Sequence, residues 1–125
     1  MAKAKRNPLG VTASTVMTKS YLDQCFSYDP LSGMLTWKER PIEHFVSQRA
    51  MSVFNKKYPG KVAGSPTFKN TGKPAACLVQ INGKTFLAHR IIWTMEKGPI
   101  PERMQIDHID VNAHNNRLDN LRLAT

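Results

Sequence analysis

Asp107 and His108 are consecutive in this 125-residue chain, inside the run Gln105-Ile-Asp-His-Ile109, and Asn112, Asn115, Asn116 and Asn120 follow closely. A carboxylate, an imidazole and carboxamides are the side chains that phosphodiester hydrolysis can use. The attacking water must lose a proton, and neutral imidazole, with an ordinary pKa of about 6.5, is matched to that task. The departing 3′ oxygen needs its growing negative charge stabilised, and a divalent cation on carboxylate and amide oxygens would do so. An isolated Asp-His pair also occurs on many protein surfaces with no such role, so the pair alone decides little.

In a regular strand, adjacent side chains point to opposite faces. Asp107 and His108 can therefore flank one object only where the strand ends or bends. The following Asp110-Val-Asn-Ala-His-Asn-Asn116 has the composition of a loop that would provide the bend. Leu118, Leu121 and Leu123 can anchor the return, and Leu121 to Thr125 reads as a second strand. Asp110 reads as a turn-forming residue, and His114 as at most a makeshift ligand.

Upstream, Ala76 to Leu87 reads as a hairpin turning at Asn82-Gly83. Ala88, Ile91, Ile92 and Met95 then follow helical spacing up to Gly98-Pro99. His89 and Trp93 lie one turn apart on that helix and are expected to pack. Nearer the N-terminus, Ser20-Tyr-Leu-Asp23 has the form of a capping box for a short helix that places Leu22, Cys25 and Phe26 on one face. A turn at Tyr28–Gly33, a strand at Met34–Trp37 and a weakly amphipathic helix near 42–56, stopped by Pro59-Gly60, complete the outline.

Eighteen basic against nine acidic residues leave a net charge of +9, which favours a polyanionic partner. Lys3, Lys5, Arg6, Lys19, Lys56, Lys57, Lys61, Lys69, Lys73 and Lys84 are spread along the chain, as a phosphate-tracking surface would need. The candidates for nucleic-acid contact are Lys56, Lys57, Lys84, Arg90, Arg117 and Arg122, although solvated helix and loop faces explain the same charges. No apolar run approaches the roughly 18 residues of a membrane span. The start, MAKAKRNPLG, lacks the apolar stretch of a secretory signal. Cys25 and Cys77 have no paired spacing, which suits reduced thiols and a cytoplasmic setting.

Together, Asp107-His108, Asn115-Asn116-Arg117, Asn120-Leu121 and Arg122-Leu-Ala-Thr125 resemble the HNH (His-Me finger) endonucleases of the phage and homing type. Tyr28-Asp-Pro-Leu-Ser-Gly-Met-Leu-Thr-Trp-Lys38, Ile81-Asn-Gly and Ala88-His-Arg-Ile-Ile-Trp93 are similar to that family's approach to its motif, so the resemblance spans most of residues 20–125. It implies a small single α+β domain, with a hairpin and helix leading into a ββα-metal motif. The expected parts are a basic flexible arm at 1–17, an α+β region at 18–98 and the motif at 99–125. By resemblance His108 is the general base and Asp107 a ligand for Mg²⁺ or Mn²⁺. Asn120 is at the family's central asparagine position, holding the His108 loop, with Asn116 a second candidate. The implied substrate is DNA, with RNA not excluded, and the implied setting is a bacterial host cell in which a phage or prophage encodes the protein.

In that family the second strand leads into a helix carrying another metal ligand. The sequence is therefore expected to be cut short before that helix, whether as a fragment, as a site that another molecule completes, or as a natural short form. Two functions follow. One is a divalent-metal DNA endonuclease. The other is a catalytically silent relative that binds nucleic acid or inhibits a nucleoprotein machine, for example a phage anti-defence protein.

Overall fold

Thr12 and Thr18 each precede a helix and accept a backbone N–H on the hydroxyl, from Thr15 and Tyr21 respectively, both at 3.3 Å. They open α1 (Ala13–Val16) and α2 (Lys19–Cys25) in the structure, a computed structural model that describes residues 12–125. The cap of α2 is thus Thr18 rather than the expected Ser20. Lys19 is drawn into the helix, where it pairs with Asp23 one turn on at 2.9 Å. The arm expected over 1–17 gives way to structure by residue 13, with Val16 buried against the core, while residues 1–11 lie outside the described part.

Phe26 leaves α2 directly into β1 (Phe26–Asp29), which pairs antiparallel with β2 (Met34–Trp37). The turn between them begins later than Tyr28, because Tyr28 and Asp29 are paired strand residues. The Asp29 carboxylate accepts from Leu31 N–H and Ser32 Oγ, and Gly33 closes the turn at φ +78°. The helix expected near 42–56 is split into a 3-10 turn at Ile42–His44 and α3 (Gln48–Lys57), capped by Ser47. Its cause is His44, which is held in the interior by Arg40 and Gln24 while Phe45 runs extended.

β3 (Val62–Ala63) completes the first three-stranded sheet, in the order β1-β2-β3. β4 (Ser65–Phe68), β5 (Pro74–Ile81) and β6 (Lys84–Leu87) form the second. Asn82 at φ 54° and Gly83 at φ 80° turn β5 into β6, as the sequence required. α4 (Ala88–Lys97) follows at once and ends at Gly98, φ 94°, whose N–H reaches Thr94 O.

α4 is the centre of the core. Ile91 and Ile92 are fully buried, with Leu22 and Cys25 of α2 and with Val79 and Ile81 of β5 in the same cluster. Each such aliphatic side chain contributes roughly 1.5–3 kcal/mol through burial. The last sheet, β7 (Gln105–His108) against β8 (Leu121–Ala124), adds Ile106 and Leu121 to that cluster. The segments 18–98 and 99–125 therefore share one core, in an α+β arrangement.

Candidate functional site

β7 and β8 pair with Asp107 opposite Arg122 and His108 opposite Leu121. One face of this ribbon carries Ile106, His108, Leu121 and Leu123 toward the core, and the other carries Asp107 and Arg122. The sheet ends at His108, since Ile109 N–H turns away to Asn120 O at 2.8 Å. Strand geometry thus separates Asp107 from His108, and the bend required of the sequence begins one residue after the pair.

His108 is half-buried and its Nε2 meets Asn116 Oδ1 at 2.8 Å. A carboxamide oxygen only accepts, so Nε2 carries the proton and the Nδ1 lone pair is left as the basic position. The edge of His89 packs on the same ring, with centroids 4.8 Å apart. Burial first, and then the neighbouring His108 and Arg90, lower the His89 pKa to about 4, so it is a neutral neighbour at physiological pH.

Asn116 is itself buried, and two upstream residues hold its backbone. Tyr28 Oη donates to Asn116 O at 2.6 Å. Burial, followed by Glu96, pushes the Tyr28 phenol up to about 12 and keeps it a donor. Gly33 lies so close that a Cβ there would stand 2.6 Å from Arg117 N and 2.7 Å from Asn116 C. The Tyr28–Gly33 turn is thus the seat of the Asn116 loop. Sequence reasoning missed both holders, because their partners are more than eighty residues away.

Asn120 does not touch His108 by any side-chain hydrogen bond. Its Oδ1 accepts from Asp110 N–H at 3.0 Å, and its Nδ2 donates to Asp110 Oδ1 and Asn115 O, both at 2.9 Å. Asn115 Nδ2 and Asn112 N–H also donate to the Asp110 carboxylate, each at 2.8 Å. The side-chain bond from Asn115, then the backbone N–H of Asn112 and the Asn120 amide, hold Asp110 below the usual carboxylate range. Asp110 is therefore the hub of the loop. His114 is occupied elsewhere, with Nε2 2.7 Å from Thr67 O and its ring against Phe68.

Asp107 is half-exposed and its Oδ2 accepts from Arg122 Nε at 3.2 Å and Nη2 at 3.1 Å. Arg117 pairs likewise with Asp119 at 3.1 Å. Both arginines expected to contact phosphate thus have carboxylate partners. Lys56 and Lys57 lie exposed at the end of α3, Lys84 begins β6, and Arg90 is half-buried on α4 beside Phe86 and Ile100. Among the described residues no three His, Cys, Asp or Glu side chains come together as a metal-holding group.

Residues 86–125 match the family model described as HNH endonuclease. Over 36 residues, 29% of this chain, the sequence is 56% identical to Protein 3.8 of Escherichia phage T7 and covers 30% of that protein. The HNH homing endonuclease I-HmuI, solved in a study of its DNA binding and cleavage, aligns with 81% of this chain and 47% of its own at 21% identity and a TM-score of 0.46. The chain spans under a third of the first relative's length and under half of the second's. The segment that matches the HNH endonuclease model, 86–125, carries His89, His108, Asn116 and Asn120.

Proposed function

We propose that the chain contributes to DNA cleavage as an HNH-type endonuclease, with His108 as the general base. The observation that carries this reading is the bond from His108 Nε2 to the buried Asn116 Oδ1, 2.8 Å long. It leaves Nδ1 to take a proton from water as the hydroxide forms a bond to phosphorus and the P–O3′ bond breaks, O3′ leaving with the bonding pair and taking a proton from solvent. The resulting imidazolium keeps its Nε2–H bond to Asn116, which orients the ring throughout. Asp110, Asn115 and Asn120 hold the loop, and Tyr28 and Gly33 seat it. A requirement for Mg²⁺ or Mn²⁺ belongs to this reading by family likeness alone, and no step is assigned to a cation. A phage origin is part of the same reading, supported by the phage T7 relative.

Plasmid nicking by the full chain, with Mg²⁺, with Mn²⁺ and with EDTA, tests it against His108→Ala. Cutting that survives the substitution would refute the assignment of the base. A second reading has an observation of its own: Asp107 is tied to Arg122, and no three His, Cys, Asp or Glu side chains come together as a metal-holding group among the described residues. On that reading the chain binds nucleic acid, or inhibits a nucleoprotein partner, without cutting. DNA binding by both proteins with no nicking under any metal condition would select it.

A further inference from the structure

We propose that the cavity beside Arg40 binds a nucleotide, with its phosphate on Arg40 and Lys61 and its base against Trp37 and Tyr58. The cavity measures about 570 Å³ and lies between α3, the β2–β3 edge and the β5–β6 hairpin. Small-molecule sites run from roughly 300 to 1,000 Å³. None of its described lining residues comes from β7, β8 or the loop between them, so it is separate from His108.

Arg40 is 4% exposed and has no carboxylate partner among the described residues. Its Nε donates to His44 Nδ1 at 3.0 Å, and its Nη2 to Tyr21 Oη at 3.0 Å and Asn82 Oδ1 at 3.1 Å. Nη1 has no hydrogen bond among the described residues. No side-chain nitrogen or oxygen among them is both sealed from solvent and unbonded, so Nη1 opens on accessible space, and Arg40 lines this cavity. Burying a guanidinium without an anion is unfavourable. The faces of Phe45 and Phe54, 4.8 and 4.9 Å from the guanidinium carbon, offset only part of that.

Lys61 adds a second positive charge, and the described lining contains no Asp or Glu. A phosphate would supply the counter-charge that the fold omits. Phosphate alone would leave the aromatic wall unused, where Phe54 and Tyr58 stack at 4.7 Å and Trp37 meets Phe54 edge-on at 5.1 Å. A neutral ring would leave Arg40 unanswered. A nucleotide satisfies both, and Gln80 and Thr85 offer polar groups to the edge of its base. It can be a free nucleotide or one displaced from a bound strand.

The test is titration of the full chain with deoxyadenosine monophosphate, deoxyadenosine, inorganic phosphate and a short single-stranded oligodeoxynucleotide. Binding is read by calorimetry and by quenching of Trp37 in a Trp93→Phe background. The monophosphate or the oligonucleotide is expected to saturate and quench, at least ~10-fold more tightly than the nucleoside or phosphate. Lys61→Glu, on the surface, should weaken that binding at least ~10-fold with an unchanged melting curve, whereas Arg40→Ala also disturbs the core. His108→Ala should bind as wild type. An oligonucleotide that competes with the monophosphate, or binds alone, identifies a strand as the source, and the monophosphate alone identifies a free nucleotide. No saturable binding of either, a nucleoside that binds as well as the monophosphate, or indifference to Lys61→Glu overturns the proposal.

Discussion

Two polar networks, one around Arg40 and one around Asp110, solve opposite problems. Around Arg40 a cation is buried among aromatic rings, with Tyr21, His44 and Asn82 as neutral partners. Around Asp110 an anion sits at the surface, held by the amides of Asn115 and Asn120 and by the backbone of Asn112. The first network ties together α2, the 3-10 turn and the β5–β6 hairpin, so its loss should be felt as lost stability. The second joins residues within one short loop and orients one imidazole. Its loss should be felt as lost activity. Buried charge organises the fold, and the loop amides organise the chemistry.

The largest expected contrast comes from removing the centre of each side. His108→Ala should lower nicking by about 10²–10⁴-fold, the usual worth of a general base, while the melting temperature barely moves. Arg40→Ala should do the reverse. It strips three hydrogen bonds, from buried His44 and Tyr21 and from half-buried Asn82, and should cost on the order of 3 kcal/mol or more in urea unfolding. Equal effects of the two substitutions on stability would erase the distinction.

Acid should act on both sides. Burial, reinforced by Arg40, lowers the His44 pKa to about 4, and burial with His108 and Arg90 lowers that of His89 to about 4. Both are neutral in the fold, while an unfolded histidine gains its proton below about pH 6.5. Their stabilising contribution is therefore complete above that pH and is lost as pH falls from 6.5 toward 4. For the deeply buried His44 the loss amounts to a few kcal/mol. Urea midpoints measured across that range should decline, and His44→Gln should flatten the decline more than His89→Asn does.

Smaller changes test the seat of the loop. Gly33→Ala places a methyl 2.6 Å from Arg117 N at φ +78°, so it should cost about 1–3 kcal/mol and displace Asn116. Nicking should fall more than the stability loss alone accounts for. Tyr28→Phe removes a single bond to Asn116 O, worth about 0.5–1.5 kcal/mol, and should reduce cutting only a few-fold. A Gly33→Ala protein with wild-type activity would show that the turn does not position the loop.

Local chemistry made part of this molecule legible in its residues. Asn82-Gly83 demanded a tight turn, and the Ala88–Met95 spacing demanded a helix ended by Gly98, because positive φ angles and helical periodicity depend on neighbours in sequence. Asp107 and His108 had the right chemical types, and the family resemblance singled them out together with Asn116 and Asn120. β3 and β4, two and four residues long, carried too little pattern to be seen. The split of the 42–56 helix was equally hidden, since it follows from the burial of His44 against Arg40.

Tertiary structure alone decided which carboxamide meets which group. The family resemblance put Asn120 first and Asn116 second as holder of the His108 loop, and nothing in the local sequence ranked them. Packing turned Asn116 onto the imidazole because Tyr28 and Gly33, far away in the chain, hold its backbone. Packing likewise left Arg40 without an anion, a fact visible only once the strands and helices around it are assembled. Residue types set what chemistry is available, and contacts between distant segments set its geometry, because hydrogen bonds act over about 3 Å and chain spacing cannot specify that.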